Sequence, residues 1–516
     1  MPFVRSFLID PGDTILNDVN SINIIRLLPQ SVPVGLLLNT VGIVGEFVKG
    51  TFNSPTLEGS YSSIKNDFGG YSPYIGDGDI SANGNGIVYL AGMTWGNVVV
   101  TRVNTEVGSV TFTLSAALAS NLLIPAGTRV KASTTSDVYI TDQDLTIAAG
   151  ATTGTVGISP ANAATYTDLA AAINTVVDVP LGLGSVTLSV SNAAATSALN
   201  ISTAYLNAIA LLNVTNDGSP ASMVNILFSA RKDPAASLPT SPTGPVEPIR
   251  NALINSAVYF TNNGGGARYA VTSVPRGIIT DTALLNAKQA SQNAYGENCE
   301  REFFEALCVK WTCPETQTIF EITPDCFMAS ILSQLAPWEN PAQATPYTAG
   351  ILGLESDITT PFAVNDYVTF EANGINAFII DKQLGPVFDQ GFTGVNSTTY
   401  PSLKRISRLR MEDYISLTLA LGIAQFGKHL STPANQDAIT SLCVGFLVQL
   451  QSPNNPNTSH IAGFSVDPKS FNTATSLAAG EFKVGIMVQT YPSLDSISLY
   501  VDVGEYVTVT PQNSLA

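Results

Sequence analysis

The sequence predicts an α+β multidomain protein, with an α/β core and a C-terminal domain that are interrupted by an inserted all-β domain of the sandwich or barrel type. Three observations predict this class. The chain has 516 residues, which is too long for a single hydrophobic core. Mixed helix and strand patterns flank a stretch of short alternating strands. The segment "KDPAASLPTSPTGPVEP" follows that stretch and reads as a Pro-rich linker.

These changes in composition and in predicted secondary structure divide the chain into six segments. In chain order they are a loop-like N-terminal segment (1–23), a first core part (24–106), the inserted β-rich domain (107–231), the linker (232–250), a second core part (251–395) and a C-terminal domain (396–516).

Before the linker, strands dominate the predicted elements. "VGIVGEFVKG" reads as a strand that enters a Gly turn, and "GSYSSIKNDFGG" reads as a short helix ended by Gly69 and Gly70. The strand "NVVVTRV" follows. Period-2 alternation then predicts the strands of the insertion, which are "SVTFTL", "TRVKAS", "DVYIT", "TGTVGI" and "SVTLSVS". "AATYTDLAAAINTV" is predicted to be a helix.

After the linker, helical patterns become longer. We predict one or two helices in "DTALLNAKQASQNAYGENCEREFFEAL", a strand in "CVKWTC", a helix in "PDCFMASILSQLAP", and a buried strand and turn in "GINAFIIDKQLGPVF". A long helix is expected to end near His429, and "DAITSLCVGFLVQLQ" has apolar residues at i, i+3, i+4 spacing. "EFKVGIMVQT" and "SISLYVDVGEYVTV" are predicted strands, and the last has no obvious partner within the chain.

The charge pattern excludes some classes of partner. The chain has 40 acidic residues, 23 basic residues and a net charge of -17, yet only 12% of its residues are charged, about half the usual share. Nucleic-acid binding needs a broad basic face, so we expect no nucleic-acid partner. The N-terminus lacks a secretory pattern and no apolar run is long enough to span a membrane. We therefore expect a soluble protein, made in a cytoplasm, whose neutral polar surfaces lie against other proteins.

The sequence contains no convincing motif for catalysis or cofactor binding. The only histidines are His429 and His460, and the sequence contains no G-x-S-x-G motif. "DGDISANG" departs from a calcium loop because Ala82 and Val88 stand at the positions that need Gly and Glu. The five cysteines lack the spacing of a zinc site, so buried thiols are expected. The sequence predicts a protein that is not an enzyme, without cofactor or metal.

Two separated regions resemble the tail sheath proteins of contractile bacteriophage tails and related injection machines. "VGIVGEFVKGTFNSPTLEGSYSSIKNDFGG" resembles the family's N-terminal pattern of strand, G-x-x-x-x-G, N-x-P, short helix and F-G-G. The matching residues are Gly45, Gly50, Asn53, Pro55, Phe68, Gly69 and Gly70. From Phe370 onwards the chain is similar to the family's C-terminal domain, in which a "GIN" strand leads through a Gly turn into a basic helix. These stretches cover about a third of the chain.

The resemblance implies a mechanical function. It implies that copies of the chain form stacked hexameric rings around a tail tube, and that their contraction drives the tube through a bacterial envelope. The implied partners are further copies of the chain, the tail tube protein, and baseplate and tail terminator proteins, with no membrane or nucleic acid. The implied location is the virion tail, assembled in the cytoplasm of the bacterial host.

The resemblance also suggests two sets of site residues. Family sheaths link subunits through terminal arms that add a strand to a neighbour's sheet, and the predicted arm residues here are Phe3, Val4, Phe7, Leu8, Leu499, Val501, Val503, Val507 and Val509. The alternative is that these strands pair within their own domain. The second set is a cluster of cations, Lys404, Arg405, Arg408 and Arg410, which we call the basic segment. In related machines the C-terminal domain faces the tube, so the basic segment is a candidate for docking on an acidic tube. A solvated helix face with Arg408 and Glu412 paired at i, i+4 is the alternative.

Two other functions remain open from the sequence. The chain could be a baseplate or surface-layer protein whose β insertion recognises a receptor or glycan. It could also be an enzyme, which would need a cleft rich in ionisable groups, and the scarcity of histidine argues against that reading.

Overall fold

The computed structural model describes residues 38–70, 97–132, 138–161, 166, 173–193, 199–215, 217–278, 280–312, 319–343, 350–355, 364–381, 384–427, 429–451 and 459–491. The chain forms two compact units. The larger unit is Pro33–Ala424, and the smaller unit combines Met1–Val32 with Gln425–Ala516. No helix in the described ranges is both long enough and apolar enough to span a membrane.

An eight-stranded sheet lies at the centre of the larger unit. Its six middle strands are parallel and its two edge strands are antiparallel to their neighbours. In spatial order the strands are β19 (Gly385–Phe388), β18 (Ile375–Asp381), β14 (Glu302–Ala306), β13 (Tyr269–Ser273), β12 (Ile226–Ser229), β1 (Val41–Gly45), β3 (Val98–Arg102) and β2 (Thr56–Glu58).

Helices cover both faces of this sheet, which is why its strands read as nearly continuous apolar runs. One face packs against α1 (Tyr61–Phe68), α5 (Asp325–Gln334) and α7 (Ile406–Ala424). The other face packs against α2 (Ile201–Ala210), α3 (Pro248–Asn262), α4 (Asp281–Tyr295) and α6 (Val364–Ala372). Alternate residues of a strand serve opposite faces, so Phe303 joins the first core and Phe304 joins the second.

A mainly antiparallel region occupies much of the range 107–231. Its six-stranded sheet contains β10 (Thr175–Val176), β6 (Arg129–Lys131), β7 (Val138–Thr141), β9 (Thr153–Pro160), β4 (Gly108–Leu114) and β11 (Leu188–Asn192), in that spatial order. Two short strands, β5 (Leu122–Ile124) and β8 (Leu145–Ile147), pair beside it. These strands share a core of their own that includes Phe112, Tyr139 and Ile158. In the same range, β12 belongs to the central sheet and α2 packs against that sheet.

A third antiparallel sheet lies beyond the strand β14. It consists of β16 (Ile319–Ile322), β15 (Val309–Thr312) and β17 (Ile351–Leu354). Only Leu307 and Cys308 connect β14 to β15, and Leu307 adopts a left-handed φ of 72°. A bulky side chain rarely takes this conformation. The change of direction between the two sheets is therefore made in a short, strained connection.

The mixed α/β class and most of the predicted elements are confirmed, and three predictions were wrong. "EFFEA" is the strand β14 and not part of a helix. Both of its faces are buried, so it lacks the alternation that identifies a half-exposed strand. The long helix ends at Ala424, before Gly427, and not near His429. Thr175 and Val176 form β10 instead of ending a helix, and most of that predicted helix lies outside the described residues.

The N-terminal motif glycines have a packing role. Gly50 has a φ of 100°, and a Cβ atom there would lie 2.7 Å from the ring of Phe68. Gly69 has a φ of 88°, and its Cβ would lie 2.8 Å from Val48. Phe68 is buried and its ring centroid is 5.4 Å from that of Phe47. The motif therefore fits the end of α1 closely against the segment after β1, because only glycine suits both positions.

The smaller unit is described from residue 425 onwards. It contains α8 (Pro433–Gln451), β20 (Ile461–Asp467), α9 (Ala474–Ala478) and β21 (Gly485–Thr490). The strands β20 and β21 form a two-stranded antiparallel sheet. A capping box between Thr473 and Ser476 starts the short helix α9. The predicted strand "SISLYVDVGEYVTV" lies outside the described residues, so its pairing stays a prediction.

Candidate assembly surfaces and buried charges

The first two cations of the basic segment contact the loop after β19. Lys404 lies 3.6 Å from a carboxylate oxygen of Glu371, and its side chain is 27% exposed. Arg405 is buried, its guanidinium lies 4.4 Å from the centre of the Phe392 ring, and it donates a hydrogen bond to the side chain of Gln390. Arg405 therefore stacks inside the larger unit, whereas Lys404 retains an exposed fraction.

The other two cations also differ from each other. Arg408 is half-buried and donates to the carbonyl oxygen of Ser402 over 3.0 Å. Arg410 is only 1% exposed and donates to the carbonyl oxygens of Leu332 and Leu335, each at 3.0 Å. These carbonyls end the helix α5, where the helix dipole favours a cation. Burial lowers the pKa of Arg410.

The four cations therefore belong to one segment but do not form one surface. A partner could reach Lys404 and Arg408 as they stand, whereas Arg405 and Arg410 stabilise packing around α7. The arginines near the start of α7 are tolerated because Arg408 and Arg410 bind carbonyl oxygens. That the basic segment docks on a tube stays a prediction.

The terminal arm residues cannot be placed in the same way. Phe3, Val4, Phe7 and Leu8 lie outside the described residues, as do Leu499, Val501, Val503, Val507 and Val509. The two-stranded sheet β20–β21 lies in the smaller unit and exposes large apolar side chains on and beside its strands. The exposed fractions are 69% for Met487, 56% for Phe471 and 52% for Tyr491.

Several charged and hydroxyl side chains form a buried ionic cluster around Glu302, at the start of β14. Lys288 from α4 and Arg250 from α3 both bind its carboxylate, Arg250 at 3.2 Å. The hydroxyls of Thr272 and Ser291 donate to the same carboxylate over 2.8 Å and 2.7 Å. Burial alone would raise the pKa of Glu302, but the two cations outweigh it and hold the pKa at about 2. The cluster is sealed from solvent, so it can stabilise the packing of α3 and α4 on the sheet but offers no surface to a substrate.

Three residues further along the same strand, Glu305 lies in a different environment. Its partner is the Asn376 side chain, which donates over 3.3 Å. Burial raises the pKa of Glu305 well above its usual value, and the nearby carboxylates of Asp325 and Asp389 raise it further. Asp389 is itself affected by burial, which raises its pKa to about 7.

Asn376, the asparagine of the "GIN" strand, has a second role. Its side chain donates to the carbonyl oxygen of Phe392 at 2.9 Å and accepts from the N–H of Phe392 at 2.7 Å. The amide thus mimics a backbone partner and fixes the loop that leads to the basic segment. Gly374 precedes it at a φ of 66°, where a Cβ would lie 2.3 Å from the carbonyl oxygen of Thr393.

A further ion pair lies at the point where the strand order of the central sheet reverses. The chain passes from β1 outward to β3 and then returns to β12 on the other side of β1. Open α/β sheets bind ligands at such a point, beyond the carboxyl ends of the strands. Here Glu46 after β1 binds Arg231 after β12 at 2.7 Å, and Tyr205 donates to Glu46 at 3.2 Å. The polar groups at this point of the sheet therefore bind one another.

Sequence reasoning missed these buried charges. Arg102 and Asp142 form another such pair, with 3.0 Å between them and side chains no more than 2% exposed. Burial raises the pKa of Asp142 to about 6. One signal was present: in a chain with so few charges, Arg102 stands at the end of the apolar strand "NVVVTR". Charges in such positions must be paired if the run is buried.

The described residues contain no cluster of ligands suited to a metal ion. The four described cysteines, Cys299, Cys308, Cys326 and Cys443, are buried and form no disulfide with one another, which confirms the expected buried thiols. Burial raises the pKa of Cys299 to about 11 and that of Cys443 to about 11. These thiols are therefore protonated near neutral pH and are poor nucleophiles.

No protein-family model and no curated protein matches the chain. Solved structures do. The chain is similar to the sheath of PVC, an extracellular contractile injection system in its contracted state, with 11% identity and a TM-score of 0.53 over 95% of this chain and 98% of that one. It is also similar to the contracted helical sheath of the anti-feeding prophage, with 10% identity and a TM-score of 0.53 over 96% and 99% of the two chains. The chain therefore has the fold of contractile sheath proteins.

Proposed function

We propose that this chain is the structural subunit of a contractile sheath and not an enzyme. Copies form stacked hexameric rings around a tail tube, and contraction of the sheath drives the tube through a bacterial envelope. The observation that carries the proposal is the shared fold, which extends over nearly the full length of this chain and of two contracted sheaths. A fold shared over both chains favours a shared assembly more than the likeness of one domain would.

The distribution of charge supports a subunit that is mostly covered by its own copies. Many of the few charged residues pair inside the larger unit, as Glu302 and Asp142 do. Only 12% of the residues are charged, so much of the surface consists of neutral polar groups, which lose less free energy than charges when a neighbour covers them. A helical polymer forms through heterologous contacts, in which unlike surface patches of neighbouring copies cover each other.

The terminal arms are proposed to connect neighbouring subunits. A two-stranded sheet is marginally stable by itself in water, and β20–β21 is such a sheet within the described residues of the smaller unit. The arm residues, including Phe7 and Val501, have the apolar alternation of added strands. Added to the β20–β21 sheet of a neighbour, they would cover side chains such as Met487 and link copies through main-chain hydrogen bonds.

The tube is the proposed partner of the basic segment, chiefly through Lys404 and Arg408. Exposed ion pairs contribute only about 0–1 kcal/mol each. Repeated over many subunits, weak pairs would hold the extended sheath on its tube and still release it during contraction. The antiparallel region within 107–231 is proposed as an inserted domain that decorates the sheath. Baseplate and tail terminator proteins would bind the two ends of the polymer in a virion tail assembled in the host cytoplasm.

Electron microscopy of the purified full-length chain tests the proposal. Striated hollow tubes with six-fold end views are the expected result at high protein concentration. If only small particles form, the cognate tail tube protein is added. Tubes on that core would support a sheath that needs its template. Small particles that do not assemble on the tube protein would contradict the proposal. They would favour a baseplate or surface-layer protein with a receptor- or glycan-binding β domain.

A further inference from the structure

A polar cavity of about 430 Å³ opens on the surface of the larger unit, between the C-terminal half of α4 and the turn at 396–400. Its volume lies in the usual range for small-molecule sites, about 300–1,000 Å³. Six polar side chains line it: Gln289, Gln292, Asn293, Asn396, Thr399 and Tyr400. Pro242 and Gly296 complete the described lining. Among the described lining residues, amides, hydroxyls and a ring face the cavity, and none carries a carboxylate, ammonium or guanidinium group.

Internal hydrogen bonds hold two of the amides in fixed orientations. Gln292 uses both amide hydrogens, which it donates to the carbonyl oxygens of Asn373 at 2.7 Å and Gly394 at 3.0 Å. Asn293 donates to the carbonyl oxygen of Pro242 at 2.7 Å. A ligand would therefore meet amides that are already ordered, which reduces the entropy lost on binding.

The remaining groups of the amides include both donors and acceptors. The Asn396 side-chain oxygen accepts from the N–H groups of Thr398 and Thr399 at 3.0 Å and 3.1 Å, which leaves its NH₂ group as a donor. Gln289 donates to the side chain of Asn373 at 3.0 Å, which leaves its carbonyl oxygen as an acceptor. A hydroxyl group can both donate and accept, so a ligand rich in hydroxyls matches this mixture.

Other ligand classes fit the lining less well. An anion lacks an Arg or Lys partner in the cavity and would meet the C-terminal end of α4, where the helix dipole disfavours negative charge. A metal cation lacks a carboxylate ligand. An extended peptide from a second copy would need apolar pockets for its side chains, and the lining offers only Pro242 and the ring of Tyr400.

We propose that this cavity binds a neutral saccharide. Asn396 donates to a sugar hydroxyl oxygen, Gln289 and Gln292 accept from sugar hydroxyls, and the ring of Tyr400 packs against a C–H face of the sugar. Gly296, whose Cβ would lie 3.9 Å from the Tyr400 hydroxyl, keeps the cavity open because a side chain there would enter it. The site is separate from the antiparallel region and does not depend on assembly into a sheath.

Saturation-transfer NMR on the unassembled full-length chain tests the site. The neutral probes are glucose, galactose and N-acetylglucosamine, and the charged comparators are glucuronate and inorganic phosphate. We expect saturation transfer to at least one neutral sugar and at least tenfold weaker transfer to both anions. Thr399→Trp should fill the cavity and reduce transfer to the bound sugar at least tenfold. Thr398→Trp is the matched control, since this neighbouring residue is exposed and does not line the cavity.

Three outcomes would overturn the proposal. One is the absence of transfer to all three neutral sugars. A second is transfer to glucuronate or phosphate as strong as transfer to the neutral sugars. The third is equal sugar binding by Thr399→Trp and Thr398→Trp, with both variants showing the unfolding midpoint of the original chain, because the sugar would then occupy another place.

Discussion

Glu302 and Glu305 stand three residues apart on β14, and both are fully buried, yet their pKa values shift in opposite directions. Glu302 contacts Lys288 and Arg250, which hold its pKa at about 2. Glu305 has an uncharged amide as its hydrogen-bond partner, and burial raises its pKa well above the usual value. Glu302 is therefore ionised near neutral pH, whereas Glu305 keeps its proton to a higher pH than an exposed glutamate does.

The difference shows that the partner, and not burial alone, determines the direction in which the pKa of a buried carboxyl shifts in this core. Because successive residues of a strand point to opposite faces, Glu302 shares a face with Phe304, towards α3 and α4. Glu305 shares the other face with Phe303. Cations lie within reach on the first face, whereas Asp325 and Asp389 act on Glu305 on the second.

The largest expected effect is that of Glu302→Gln. This change removes the negative charge and leaves Lys288 and Arg250 buried without their shared partner. Breaking a buried ion pair on one side costs about 3–5 kcal/mol. We expect a loss of that size in the free energy of unfolding at pH 7, measured by urea titration with the fluorescence of the buried Trp311 as one signal.

Lowering the pH provides the control for that variant. The pKa of Glu302 is depressed from 4.5 to about 2. Its contribution is therefore complete above pH 4.5 and is lost as the pH falls towards 2. The difference between Glu302→Gln and the original chain should shrink over that range. A difference that stays constant down to pH 2 would mean that the lost stability is not electrostatic.

The next largest effect is expected at Asp389, one of the carboxylates that act on Glu305. Burial raises its pKa from 3.8 to about 7. Between these values the folded chain holds a proton that the unfolded chain releases, so stability falls as the pH rises from about 4 to 7. One proton corresponds to a slope of up to about 1.4 kcal/mol per pH unit. Asp389→Asn should remove that slope from the free energy of unfolding measured at pH 4.5, 5.5 and 6.5.

An exposed aspartate provides the matched control. Asp217 has a pKa below its ordinary value of 3.8 because Ser219 donates to it, so it is already ionised across this pH range. Asp217→Asn should leave the slope unchanged. Equal slopes in Asp389→Asn and the original chain would show that Asp389 is not protonated in the folded state.

Whether an element could be predicted from the sequence depends on whether one of its faces is exposed to solvent. Half-exposed strands such as β4 and the helix α8 show their periodicity, so their positions could be predicted. β14 is covered on both faces and was mistaken for helix because its pattern carries no exposed side. The ion pairs were missed for a related reason, since Arg250 and Glu302 lie 52 residues apart and meet only through the sheet. No local pattern encodes such a contact.

The basic segment illustrates the same limit. Its four cations lie close together in sequence, between residues 404 and 410, and this proximity suggested a single surface. The helix geometry of α7 separates them, because Arg408 and Arg410 are two positions apart on a helix and point in different directions. The tertiary partner of Arg410, the end of α5, could not be inferred from the segment itself.

A smaller effect is expected for Glu305→Gln. The glutamine keeps the shape of the protonated carboxyl, and its oxygen can still accept from Asn376. At pH 4 the free energy of unfolding should differ from that of the original chain by less than about 1 kcal/mol. As the pH rises to 8, the variant should become the more stable chain. The folded state of the original chain opposes ionisation of Glu305 and so loses stability, whereas the variant has no carboxyl at this position. A loss at pH 8 as large as that of Glu302→Gln would place an ionised Glu305 in the core and remove the contrast between the two residues.

The smallest effect on stability, and the largest on assembly, is expected for the double change Lys404→Glu/Arg408→Glu. Both residues retain exposed surface, so the free energy of unfolding should change by about 1 kcal/mol or less. If the segment docks on an acidic tube, sheath formed on the tube should fall several-fold in a sedimentation assay, and more steeply at low salt. Lys65→Glu/Lys131→Glu makes the same change in net charge away from the segment and should leave co-sedimentation intact. Equal co-sedimentation of the two double variants would rule out docking through Lys404 and Arg408, and the basic segment would then serve packing alone, as Arg405 and Arg410 already do.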